Sequence, residues 1–77
     1  MRLEKLQQFM KAKNLPFTYT EEKELGSIDF EYRGLNYHIW EFEDGGYGAE
    51  SNVRNAGRTE DFSGDYETII MDIMRDW

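Results

Sequence analysis

One histidine, sixteen carboxylates and no cysteine set the chemistry open to this 77-residue chain. His38 can serve as a general base or as a pH-sensitive contact. In the alternating segment that holds it, His38 faces Asp29, so a cross-strand ionic pair is the plainer expectation. A lone histidine excludes the usual multi-histidine zinc sites, and the missing cysteines exclude a thiolate metal site. Glu41, Glu43, Asp44 and Glu50 can collect around a glycine-rich turn, and Glu60, Asp61, Asp65 and Glu67 form a second group. Neither group has the spacing of a calcium loop. Two carboxylates across a cleft can do glycosidic chemistry, but nothing in so short a chain signals a cleft. Gly45-Gly46-Tyr47-Gly48 superficially resembles a phosphate cradle. It lacks the lysine and the dinucleotide spacing, and Glu43, Asp44 and Glu50 flank it, so it reads as a turn. No serine, threonine or lysine stands in a recognisable nucleophile context. These residues predict a non-enzymatic protein without metal or cofactor.

The aromatic residues are more informative. Ile28, Phe30 and Tyr32 alternate with Asp29, Glu31 and Arg33; Leu35, Tyr37 and Ile39 then alternate with Asn36, His38, Trp40 and Phe42. Period two over this length predicts a β-hairpin turning at Arg33-Gly34. That register sets Tyr32 against Leu35, Phe30 against Tyr37 and Ile28 against Ile39 on one apolar face. The other face carries Asp29, Glu31, His38, Trp40 and Phe42. Trp40 and Phe42 are either covered by the N-terminal helix or the Asn55–Phe62 loop, or exposed as an interface. Glu41 has the wrong parity for its charge and is expected at the sheet's rim, beside Gly26 or past the end of the second helix.

The elements that position these residues follow from periodicity. Leu3, Leu6, Phe9 and Met10 predict a helix from Arg2 to Lys13, stopped by a left-handed Asn14 and by Pro16. Lys11 and Lys13 lie favourably in its last turn. Phe17 to Thr20 reads as a short strand followed by a charged turn, Glu21–Leu25. Glu43-Asp44-Gly45-Gly46 is a strong turn signal, and Tyr47 to Val53 can return as a fourth strand, weakened by Gly48. Asn55 to Phe62 reads as a polar loop. Ser63 is the expected N-cap of a second helix with Asp65 and Glu67 in its first turn. Tyr66, Ile69, Ile70, Ile73, Met74 and Trp77 give that helix its apolar face, to be packed on Ile28, Phe30, Tyr37 and Ile39. The expected fold is a single α+β domain, α-β-β-β-(β)-α, with an antiparallel meander and the C-terminal helix on one face. Ile70, Ile73, Phe30 and Ile39 are the expected core.

A chain this short buries only about 60–65% of its unfolded surface. Twelve Phe, Trp and Tyr residues offset that, since large rings bury much area per residue ordered. Missing cysteine suits a reducing cytoplasm. No basic-then-apolar leader and no long apolar run is visible, so neither secretion nor membrane insertion is expected. The net charge is −7, yet residues 1–14 carry an excess of three positive charges, leaving −10 over residues 15–77. Such a body repels phosphate backbones, which argues against direct nucleic-acid binding, and it can be steered toward basic proteins. Solubility alone also accounts for it.

Phe30-Glu31-Tyr32-Arg33-Gly34, Tyr37-His38-Ile39-Trp40-Glu41-Phe42 and Gly64-Asp65-Tyr66-Glu67 resemble a group of small acidic uncharacterised proteins of Gram-positive gut bacteria. The likeness extends to Gly48-Ala49-Glu50 and Asn55-Ala56-Gly57-Arg58, and implies no activity. In size and acidity the chain is also similar to mobile-element inhibitors, anti-CRISPR and DNA-mimic proteins among them. The expected function is a non-catalytic module binding a basic protein, with Trp40, Phe42, His38, Glu43, Asp44, Glu50, Glu60 and Asp61 as candidate contacts. The alternative is an assembly subunit, a homodimer through a sheet edge or the Trp40/Phe42 face.

Overall fold

The computed structural model describes residues 1–77. Helix α1 spans Glu4–Ala12 and buries Leu6 and Met10 completely. Its end is a Schellman motif: Asn14 takes φ 59°, its N–H donates to Lys11 O, and Leu15 N–H donates to Met10 O at 2.9 Å. The start is shorter than expected. Leu3 is left-handed and offers no cap, and the Leu6 N–H is satisfied instead by Glu67 Oε1 from the second helix.

Five strands follow: β1 Thr18–Glu22, β2 Leu25–Tyr32, β3 Leu35–Glu43, β4 Tyr47–Asn55 and β5 Arg58–Phe62. They form one antiparallel sheet in chain order, a meander. The central hairpin has the register predicted for it, Tyr32–Leu35, Phe30–Tyr37 and Ile28–Ile39. Arg33 and Gly34 both take positive φ, as a two-residue hairpin loop requires. Lys23 and Glu24 do the same between β1 and β2, without a glycine, so the charged turn is tighter than its sequence suggests.

The polar-loop reading of Asn55–Phe62 needs correction. Ala56-Gly57 is a hairpin turn, and Arg58–Phe62 is an edge strand paired to β4. Only Phe62 of this strand is a buried apolar residue, so its alternation is nearly silent in sequence. The N-cap of α2, Tyr66–Met74, is also corrected. Gly64 at φ 68° bends the chain away from Ser63, and Asp65 accepts from the Thr68 N–H and hydroxyl.

Both helices lie on one face of the sheet and share a single core: Leu3, Leu6 and Met10 from the α1 segment, Ile70 and Met74 from α2, and Ile28, Phe30, Ile39, Ala49, Val53 and Phe62 from the sheet. Phe30, Ile39 and Ile70 are buried as expected; Ile73 is only half-buried at the margin, where Met74 takes the central place. Trp77 closes one end, stacked on Tyr32 at 4.6 Å between ring centres and close to Phe30 and Tyr37. Lys13 donates to Arg75 O at 2.8 Å, so the last turn of α1 serves the carbonyl end of α2. No helix is long and apolar enough to cross a membrane.

Candidate functional site

With both helices on one side, the opposite face of the sheet is bare. One row of residues crosses all five strands there: Thr20, Ser27, Trp40, Glu50 and Asp61. The next row places Thr18, Asp29 and His38 side by side. Strand alternation brings Glu31 and Phe42 to the same face. The choice left open for Trp40 is thereby settled: neither α1 nor residues 55–62 cover it, and it stays 42% exposed.

Trp40 is held rather than loose. Its indole N–H donates to Asp29 Oδ1 at 3.2 Å, and the His38 ring lies against it at 4.2 Å between centres. The expected His38–Asp29 ionic pair does not form, although the two residues are opposite each other. Asp29 is taken by Trp40, and His38 Nε2 instead lies 3.9 Å from Glu50, buried and without a hydrogen-bond partner. His38 is itself fixed from below. β4 leaves the β3 ladder after Ser51, and side chains replace the missing backbone bonds. Asn52 Oδ1 accepts from His38 N–H at 3.0 Å, Asn52 Nδ2 donates to Asn36 O and Ala56 O, and Ser51 Oγ donates to His38 O. The Phe42 ring reaches over Gly48 on β4: a Cβ there would sit 2.7 Å from its Cζ and 2.8 Å from Phe62 O. The glycine that weakens β4 as a strand is therefore the space this ring occupies.

The carboxylates on this face have no lysine or arginine partner. No lysine or arginine comes within 4.0 Å of Asp29, Glu31, Glu50 or Asp61. The two acidic groups expected from sequence do not assemble. Glu43 and Asp44 sit exposed at the β3–β4 turn, and Glu60 is bound by Arg54 at 2.9 Å. Asp65 is a cap, and Glu67 serves the start of α1. Asp29 and Glu31, absent from the candidate contacts, belong with Glu50 and Asp61; their shared parity with Trp40 was the available signal.

Glu41 forms a second, closed constellation on the helix side. It does lie beside Gly26, but it is not a solvent-washed rim residue: its side chain is 2% exposed. Arg2 Nε and Gly26 N–H donate to Oε1, and Arg2 Nη2 and the Tyr66 hydroxyl donate to Oε2. Burial pushes the Glu41 carboxyl up, but these donors outweigh it and hold it below the usual range. Burial and the same carboxylate push the Tyr66 hydroxyl up to about 12. With four donors on two oxygens, Glu41 has no free position for a substrate proton, and its chemistry is structural. No group of three or more His, Asp or Glu side chains is arranged to hold a metal.

Comparison with models of protein families, with curated proteins and with solved structures finds no match.

Proposed function

We propose that this chain is a non-catalytic, cytoplasmic protein-binding module that presents the helix-free face of its sheet to a basic protein. One observation carries the reading: an aromatic pair, Trp40 and Phe42, braced in place on a face that also carries four carboxylates, Asp29, Glu31, Glu50 and Asp61, with no lysine or arginine partner. Interface centres favour aromatic residues in fixed conformations. Unpaired like charges around them select for the opposite charge and against a second copy of the same face. Self-pairing through the sheet edges is also discouraged, since β1 ends in Glu21-Glu22 and β5 carries Glu60-Asp61.

A basic partner that itself handles nucleic acid would be occluded, which is how an acidic inhibitor or nucleic-acid mimic works. The test is capture of a partner by the immobilised chain, followed by measured binding of the purified pair. Binding should weaken with salt, with added duplex DNA, and in the variant Asp29→Asn/Glu50→Gln/Asp61→Asn. A pair indifferent to the triple variant would overturn the reading. A pair sensitive to the variant but not to DNA would keep the module and remove the mimic.

A further inference from the structure

The bare face has a more particular chemistry than negative charge. Trp40 stands at its centre on β3, with Asp29 on β2 and Glu50 on β4, so carboxylates border the indole from both neighbouring strands. Adjacent strands lie about 4.8 Å apart, which puts both carboxylates within side-chain reach of a group resting on the ring. Asp29 uses Oδ1 for the indole N–H, a bond that fixes the ring without consuming the second oxygen. The Glu50 side chain is 41% exposed and has no lysine or arginine partner; the His38 ring nitrogen Nε2 lies 3.9 Å from it. The indole is the best of the aromatic faces for a cation.

From this geometry we infer that the Trp40 platform is an arginine-reading site: it takes a guanidinium from a protein segment, stacked on the indole and hydrogen-bonded by Asp29 and Glu50. A planar, weakly hydrated guanidinium can lie on a ring and donate edgewise at the same time. An ammonium is a strongly hydrated point charge and gains mainly the Coulomb term. Phe42, whose ring reaches over Gly48, extends the apolar floor on which the arginine's methylenes can rest. No arginine or lysine of this chain pairs with Asp29 or Glu50. Arg2 and Arg54 are committed to Glu41 and Glu60, and Arg33 lies over Tyr32.

This inference rests on the protein-binding reading, and the experiment separates the two. Hexa-arginine and hexa-lysine peptides carry equal charge and differ in the group that meets Trp40. Each is titrated against the full chain in 150 mM salt, following the Trp40 indole N–H resonance, assigned with Trp40→Phe. Hexa-arginine should bind at least tenfold more tightly and shift that resonance. Trp40→Ala should erase the preference, Trp40→Phe should retain part of it, and Glu50→Gln should weaken hexa-arginine more than hexa-lysine. Trp40 is exposed, so these variants should stay folded, checked by an unchanged amide spectrum away from the site. Equal affinity for both peptides would overturn the arginine site and leave a general basic-partner module. Absence of binding to either peptide, even at 20 mM salt, would overturn both.

Discussion

Glu41 shows how a charge can belong in the core of a small domain. Its carboxylate has two guanidinium bonds, a backbone N–H and a phenol hydroxyl in place of water. Removing one member strands the others, which is where buried pairs become costly. Glu41→Ala should therefore destabilise the fold by about 3–5 kcal/mol, read from urea denaturation. The pH dependence has a definite sign. The folded carboxyl lies below the 4.5 of an ordinary glutamate, so its contribution is full above that value and disappears as pH falls through the folded pKa. Tyr66 works at the other end. Its hydroxyl is raised from 10.0 to about 12, so what it contributes is full below pH 10 and is lost as pH climbs toward 12. In Glu41→Gln the acid loss should flatten; an unchanged acid limb would show that other carboxylates set it.

At the scale of elements, stability depends on helix docking and on the departure of β4 from β3. Ile70 is fully buried in α2, and Ile70→Ala should cost about 2–5 kcal/mol through lost burial and a cavity. Ile73→Ala should cost less, because Ile73 is only half-buried. Asn52→Ala removes three hydrogen bonds and leaves the His38 N–H without its acceptor. That should cost about 1–3 kcal/mol per orphaned buried group, and it should loosen His38 and so Trp40. An Asn52→Ala protein with an unchanged melting curve would contradict this account. The same elements mark how far the sequence could be read. The Phe30–Tyr37 hairpin and Asn14 were legible because alternation and a left-handed cap are local signals. β5 was not, since an edge strand with one buried side chain has little period to show. Trp40 and Phe42 were placed on the right face, but their exposure depended on where α1 docks, a long-range contact no local pattern encodes. Asn52 and Gly48 escaped for a related reason: each is explained by a residue on the neighbouring strand.

For the whole molecule the decisive property is where charge sits relative to the core. A radius of gyration of 11.5 Å is that of one compact domain of this length, so every surface carboxylate lies within a few Debye lengths of every other. The chain should run as a 9.2 kDa monomer by light scattering, because both sheet edges and the bare face repel their own copies. If the chain binds a basic partner as proposed, its approach has two separable parts. Long-range attraction sums over the net charge with little regard for which face carries it, and it is screened at separations beyond about 8 Å at physiological salt. Close contact depends on Trp40 and the carboxylates beside it. Glu43→Gln/Asp44→Asn, at the exposed turn, should slow association and leave dissociation nearly unchanged. Trp40→Ala should do the reverse, with association kept and dissociation faster. Glu50→Gln should alter both rates, since Glu50 belongs to the net charge and stands opposite Trp40. Raising salt should reproduce the turn variant's effect and spare the Trp40 effect. If the turn variant instead sped dissociation as much as Trp40→Ala does, the partner would be seated on the β3–β4 end of the sheet, and the bare face would not be the contact.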